Sequence, residues 1–387
     1  MNSEGRHIGW FSGGMLMLLL LLSACASGPT EEVVMPKEKP VLKVYLYAPE
    51  SSIVTRGDNG DVNVAATAEK QIKTLDVWVY EYLSPNNLVS YIHLDDLAFD
   101  GEKEIDMEIS DDFANMPKKP EVDIYVAANV SDLGLALGKT TTLAQLKEVC
   151  IGSSYFGLTA PVSAVPANGL PMSGLLRNQT VDGISPIFYA PKTRDRNVQL
   201  VRAVSKVRFV FSKSSSNAPV ISDLSVSLDA GVLPKEEYLF LEGVYPEYKS
   251  RVKTTGDDPY EASATLVTGV SSSDIKACDN PASYAYTTET GQAYETKIDD
   301  GITANELTGY GPFYLRESES QLTGTISFTI GGTQKSVPFS MSAAGDFTRN
   351  HTWIVYGYFL GSGDLKLNVV DVKAWTEDAS NPKVYNW

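Results

Sequence analysis

The sequence predicts a mainly β protein built as two β-sandwich domains in tandem, with a few short helices. Three observations carry this. Strand-like segments, alternating in polarity or rich in β-branched and aromatic residues, far outnumber helix-like ones. Stretches rich in Pro, Gly and Ser separate groups of these segments. The 387 residues and 43% hydrophobic content suit two domains with substantial cores.

The chain opens on a targeting segment. Arg6 precedes an apolar stretch over 10–22 that ends in Leu18–Leu22, and the small residues of "SACASG" follow. A basic start, a short apolar core and small residues describe a secretory signal peptide over 1–24, because a membrane span needs about 20 apolar residues. The quartet Leu22-Ser23-Ala24-Cys25 matches the bacterial lipobox, in which the cysteine is acylated and becomes the new N-terminus. Several acyl chains, each contributing about 0.8 kcal/mol per buried CH₂, would hold Cys25 firmly in a membrane outside the cytoplasm.

The strands follow in order as "VLKVYLY" (41–47), "LDVWVYEY" (75–82), "VDIYVAANV" (122–130), "LVRAVSKVRFVF" (200–211), "DLSVSL" (223–228), "TGTISFTI" (323–330), "TWIVYGYFL" (352–360) and "LKLNVVDVKAW" (365–375). One helix is expected at "TLAQLKEVC", where Thr142 and Gln145 have capping-box spacing and Leu143, Leu146 and Cys150 share a face. A second short helix is expected over 65–73. The stretches "GLTAPVSAVPANGLPMSG" and "ISPIFYAPKTRDRN" and residues 245–310 show few clear strands. The domain boundary is placed in 190–197, giving domains over 57–197 and 198–375 and a tail over 376–387.

Composition and motifs exclude several classes of function. The formal charge is 32 − 48 = −16, so nucleic acid and anionic headgroups are repelled. His7 lies in the signal peptide, and His93 and His351 stand alone without partners at ligand spacing, so neither zinc nor a catalytic imidazole is expected. "GDNGDVN" groups Asp58, Asn59 and Asp61 but departs from the calcium-loop pattern and reads as a solvated turn. "TIGGTQ" reads as a hairpin turned at Gly331-Gly332. Paired carboxylates such as Asp95-Asp96 and Asp111-Asp112 belong to an acidic surface. No catalytic site, metal or cofactor is expected. Beyond Cys25 only Cys150 and Cys278 remain, and two unpaired core thiols are expected.

Together these features resemble a known family. A lipobox, one strand, an arginine, "ATAEKQIKTLDVWVYE", "VDIYVAANV", "LPMSG", "LVRAVSKVRF", "GPFYLRES", "RNHTWIVYGYF" and a final "VKAW…YNW" run in this order along nearly the whole chain. The set is similar to the type V fimbrillins, pilus subunits of Bacteroidia. The resemblance implies transthyretin-like or immunoglobulin-like sandwiches and a fimbrium at the outer membrane and cell surface. It also implies assembly by donor-strand exchange. An arginine-specific protease would cut after Arg56, before Gly57, and free a propeptide over 25–56. That propeptide contains a removable strand over 41–54, with Leu42, Val44 and Leu46 facing inward and Lys43, Tyr45 and Tyr47 facing out. The replacing strand would be the tail of a neighbour, through Val384, Tyr385 and Trp387, unless that tail packs on its own domain. Implied partners are other pilus subunits, including anchor and tip subunits, the protease, and outer-membrane lipid through Cys25. A host or bacterial surface ligand is left open.

The same cut would sever the Arg56-Gly57-Asp58 triplet, which otherwise reads as an adhesive loop. Two other readings stand beside this one. One is a non-polymerising surface lipoprotein, either a pilus anchor or tip or a module binding glycan or protein through exposed aromatics such as Trp78 and Trp353, of which at least one is expected in a core. The other is a secreted hydrolase, which lacks any supporting Ser/His/Asp arrangement.

Overall fold

The computed structural model describes residues 38–48, 67–83, 85–97, 99, 101–159, 161–191, 197–241, 251–278, 308–372 and 383–386. Apart from Glu38, these lie within the unit Lys39–Trp387. The expected sites at Cys25, Arg56, Gly57 and Trp387 fall outside the described residues.

The first half contains β1 (Val41–Ala48), β2 (Leu75–Glu81), β3 (Leu88–Leu94), β4 (Gly101–Glu108), β5 (Val122–Ala128), β6 (Cys150–Gly152), β7 (Met172–Gln179), β8 (Asp182–Ile184), β9 (Ile187–Tyr189), β10 (Val198–Gln199) and β11 (Val201–Arg202). Short helices α1 (Thr67–Lys70), α2 (Asp111–Asn115) and α3 (Leu143–Lys147) interrupt them. One sheet holds β1, β4, β8, β9 and β10, and a second runs β11-β7-β5-β2-β3. Leu42, Val44, Leu46, Ile105, Met107 and Phe188 of the first pack on Leu75, Val77, Val79, Ile124 and Val126 of the second. This is the first sandwich.

The second half contains β12 (Ser205–Ser214), β13 (Ile221–Leu228), β14 (Glu236–Tyr238), β15 (Ala264–Val270), β16 (Lys276–Cys278), β17 (Thr308–Leu315), β18 (Thr323–Ile330), β19 (Thr333–Ser340), β20 (Thr352–Phe359), β21 (Leu365–Val372) and β22 (Lys383–Asn386). A sheet ordered β16-β12-β20-β21-β22, with β17 on β12, faces a sheet ordered β15-β13-β18-β19. Their core is built on Phe209, Phe211, Val226, Ile326, Phe328, Trp353 and Phe359. A third apolar cluster draws on both halves, with Trp78 and Tyr125 set edge-on to Phe240 at 6.4 and 5.3 Å.

Local chemistry accounts for the elements. β1 alternates between half-buried and buried positions, as a strand covered on one face must. β5 is buried at every position because its two faces meet two different clusters, which is why "VDIYVAA" is apolar almost throughout. The β18–β19 hairpin turns at Gly331 (φ 56°) and Gly332 (φ 78°), the positive pair that a two-residue turn compatible with strand twist requires. α3 starts with the expected capping box, Gln145 N–H donating to Thr142 Oγ1 at 3.3 Å and Thr142 N–H to Gln145 Oε1 at 2.8 Å. α1 spans only Thr67–Lys70 of the expected 65–73.

Three expectations are corrected. "LVRAVSKVRFVF" is two strands rather than one. β10 pairs with β1 and β11 with β7, so both belong to the first sandwich, and the chain crosses to the second at Ala203-Val204. Burial on both sides of that crossing hides it, because Leu200, Ala203, Val204 and Val207 are all enclosed. The Pro- and Gly-rich stretch after 170 contains β7, β8 and β9. Cys150 is a free thiol as expected but only half-buried, its Sγ 3.6 Å from the Glu148 carbonyl.

Gly174 in β7 lets β10 approach. A Cβ there would stand 2.5 Å from the Gln199 carbonyl oxygen and 2.7 Å from Val198 Cγ1, whereas one at Gly138 meets nothing within 4 Å. Gly174→Ala is expected to lower stability by about 1–3 kcal/mol, the usual cost of overpacking, with Gly138→Ala near neutral in the same thermal denaturation series.

Candidate functional site

The feature that stands apart in this fold is the seat of β1. Its partners come from distant parts of the sequence. Antiparallel pairing to β4 covers its whole length, from Val41 opposite Glu108 to Ala48 opposite Gly101. The other edge is shared by two parallel strands, β9 opposite Val41–Lys43 and β10 opposite Leu46 and Tyr47. Val41 N–H donates to Pro186 O at 2.8 Å, Ala190 N–H to Lys43 O at 3.0 Å and Leu200 N–H to Tyr47 O at 2.9 Å. β1 is therefore an interior strand. Leu42, Val44 and Leu46 are 0% exposed, and their burial contributes about 5–9 kcal/mol at 1.5–3 kcal/mol each.

The outer face is polar and specific. β4 presents Glu102, Glu104, Asp106 and Glu108 at alternate positions, opposite Tyr47, Tyr45, Lys43 and Val41. Lys43 Nζ sits between Glu104 and Asp106, 3.0 Å from the latter, and these hydrogen bonds, Glu104 first, hold the ammonium well above its ordinary range. Lys39 reaches Glu108 at 2.9 Å, but both side chains are largely exposed, so that pair contributes little. Tyr45 stacks on Tyr189 at 6.4 Å with planes 10° apart. If β1 left, β4 and β9/β10 would face each other across about 9.6 Å, two strand spacings, with apolar side chains open between them.

The strand expected over 41–54 is observed over 41–48, and 49–54 lie outside the described residues. The segment with Val384 and Tyr385 forms β22 on the edge of its own second sandwich. Lys383 stands opposite Asp371, Val384 opposite Val370, Tyr385 opposite Val369 and Asn386 opposite Asn368. The aromatic platform is corrected. Trp78 and Trp353 are both 0% exposed, and Trp78 Nε1 donates to the Gly138 carbonyl at 2.9 Å.

The motifs that carry the family resemblance turn out to hold buried polar groups. Glu69 of "ATAEKQ" receives Lys206 Nζ at 3.2 Å and the Tyr314 hydroxyl, while Arg202 Nε donates to the Glu69 carbonyl at 2.9 Å. The Lys206 and Tyr314 contacts join the first sandwich to the second. Arg316 of "GPFYLRES" meets Glu261 and donates to the Pro234 carbonyl at 2.7 Å. Arg349 of "RNH" donates through Nε to Glu317 Oε1 at 2.7 Å and through Nη1 to the Leu239 carbonyl at 2.9 Å. Asn129 of "AANV" accepts from Lys73 N–H at 2.8 Å and donates to the Gln71 and Leu170 carbonyls at 2.8 and 2.9 Å. Charged residues inside apolar strand motifs were the signal. Their partners, far away in sequence, were not readable. His93 is held by Asp76 at 2.8 Å and Asp95 at 3.1 Å, a satisfied pair of ring nitrogens. Among the described residues no group of three or more metal-ligating side chains is found.

Residues 44–202 match the family model of the major fimbrial subunit protein (FimA), a span that starts within β1 and ends with β11. No curated protein sequence matches. Among solved structures, a cell-adhesion candidate from Parabacteroides distasonis ATCC 8503 shares the fold at TM-score 0.50 and 14% identity, covering 88% of this chain and 99% of its own. The tip fimbrial protein Mfa3 of Porphyromonas gingivalis gives TM-score 0.47 at 13% identity, with 90% and 100% covered. The fimbrilin FimA of P. gingivalis W83 gives 0.46 at 13%, with 90% and 98% covered.

Two outcomes follow from the buried network. Arg349→Ala is expected to cost about 3–5 kcal/mol in denaturant unfolding, because the buried Glu317 keeps only the longer ion pair to Arg251 at 3.6 Å. Glu237, fully buried and accepting the Glu317 N–H at 2.8 Å, has its pKa pushed up to about 8, by burial first and by the Glu317 charge as well. A raised carboxyl pKa stabilises the fold below the ordinary value of 4.5, and that contribution is lost as pH rises through about 8. Glu237→Gln is therefore expected to flatten the stability profile over that window, read by thermal denaturation at stepped pH. Over residues 44–202, from within β1 to the end of β11 in the first sandwich, the chain is similar to the FimA major fimbrial subunit family.

Proposed function

We propose that this chain is a polymerising subunit of a type V pilus, exported as a lipoprotein precursor acylated at Cys25. Proteolysis behind Arg56 frees β1, and subunits then join by donor-strand exchange. The role is structural and adhesive, with no catalytic step, and its place is the cell-surface fimbrium. The observation that carries the reading is the seat of β1. An interior strand contributed by the start of the chain is followed by a candidate cleavage arginine before the next described element at Thr67. So long as β1 is covalently attached it occupies its slot at very high effective concentration, and a neighbour's strand cannot compete. Cutting the chain behind it removes that advantage, which makes proteolysis a trigger.

The placement of β22 fits the donor role. Among the described residues it is paired on one edge, over four positions, by β21. β1 is held on both edges and over eight positions on one of them. The donor segment is thus the easier of the two to release. A one-edged strand at the rim of a sheet also leaves unpaired backbone groups that favour pairing elsewhere. With Trp78 and Trp353 buried, the glycan-platform reading loses its proposed surface.

The test is a gel of unboiled cells expressing the protein. Wild type is expected to give a high-mass ladder and Arg56→Ala only a monomer band, with equal total protein after boiling. A persistent ladder in Arg56→Ala would remove the proteolytic trigger from the account.

A further inference from the structure

The slot and the tail share a tripeptide. Lys43-Val44-Tyr45 of β1 recurs as Lys383-Val384-Tyr385 in β22. Each residue of the first copy has a defined place in the slot. Lys43 lies between Glu104 and Asp106, Val44 is 0% exposed in the core, and Tyr45 stacks on Tyr189. On this basis, and resting on the donor-strand reading above, we infer that residues 383–387 of a second copy enter the slot in the direction and register of β1. Lys383 takes the place of Lys43, Val384 that of Val44 and Tyr385 that of Tyr45.

Charge on the slot's rim argues for this occupant. Release of β1 takes away Lys39 and Lys43, the cations that meet Glu104, Asp106 and Glu108, and leaves a row of carboxylates on β4. An acceptable strand must bring a cation on its outward face. In the tail "TEDASNPKVYNW" Lys383 is the sole basic residue. The backbone register on β21 is alike, since Lys383 stands opposite Asp371 and Val384 opposite Val370, against Asp106 and Ile105 for Lys43 and Val44 on β4.

The alternatives fit less well. A one-residue slip turns Lys383 into the core and Val384 outward. A slip of two residues moves Tyr385 off Tyr189, and reversing the direction exchanges the lysine and tyrosine places. Pro382 has no amide hydrogen, so ladder pairing starts at Lys383, as it does on β21. Asn386 in the place of Leu46 is the one mismatch, a polar side chain at a position that is apolar and fully buried in β1.

Register can be read by disulfide trapping, since directly opposed residues of an antiparallel pair have Cα atoms about 4.5–5.5 Å apart, within disulfide reach. Full-length protein carrying Lys383→Cys with Asp106→Cys is processed, assembled and oxidised, and compared with Lys383→Cys paired with Glu102→Cys or Glu108→Cys. The expected result is a reductant-sensitive covalent ladder with Asp106→Cys, about tenfold stronger than with either other position, a preference corresponding to about 1.4 kcal/mol. A ladder formed chiefly through Glu102→Cys or Glu108→Cys overturns the register while leaving donor-strand exchange intact. Fibres that cross-link through none of the three overturn both. A second arm needs no cysteine. Lys383→Glu is expected to slow ladder formation about tenfold, and Glu104→Lys with Asp106→Lys to restore it by recreating opposite-charge pairs. Unchanged assembly of Lys383→Glu overturns the role assigned to the carboxylates.

Discussion

The first sandwich depends on one strand that its neighbours in sequence do not supply. β4 and the short β9 and β10 cannot reach each other, and only β1 fills the gap with a ladder on both edges and four small or aliphatic side chains in the core. Leu42, Val44, Leu46 and Ala48 complete a layer that otherwise ends at Ile105, Met107 and Phe188. Backbone pairing and apolar burial here act together. An occupant with the right alternation satisfies both at once, and an empty slot satisfies neither. That combination suits the slot, in the proposed function, to an extended segment rather than to a small molecule.

The second dependence is electrostatic and lies between the sandwiches. Glu69, Lys206 and Tyr314 meet in a region where all three side chains are nearly fully enclosed, and Arg349 with Glu317 and Arg316 with Glu261 do the same within the second half. Buried ion pairs add little net stability relative to apolar packing, yet they tolerate few alternative arrangements. They suit a protein whose two sandwiches keep one fixed relation to each other. α1, which carries Glu69, is the first described element after β1, so this junction is built at the point where the freed segment would part from the rest.

Much of this was legible in the sequence, for physical reasons that vary by element. β1, β2, β5, β13, β18, β20 and β21 showed themselves through alternation or aliphatic and aromatic runs, because each is covered by a core on at least one face. β4 did not. Its "GEKEIDME" carries four acidic residues on one face and owes its strand conformation to β1 lying alongside. β7 hid in a Pro- and Gly-rich stretch where Gly174 serves a close approach by β10 rather than a turn. The inward side of β1 was readable from its period of two. The carboxylate row that receives Lys43 was not, since it arises from a register between residues more than sixty positions apart.

The central claim is that β1 is discarded when subunits join. Mass spectrometry of subunits extracted from assembled fibres measures this directly. The account predicts an N-terminus at Gly57 and no peptide covering Val41–Ala48 in the fibre. Subunits that retain acylated Cys25 continuous with Val41–Ala48 throughout the fibre would contradict it.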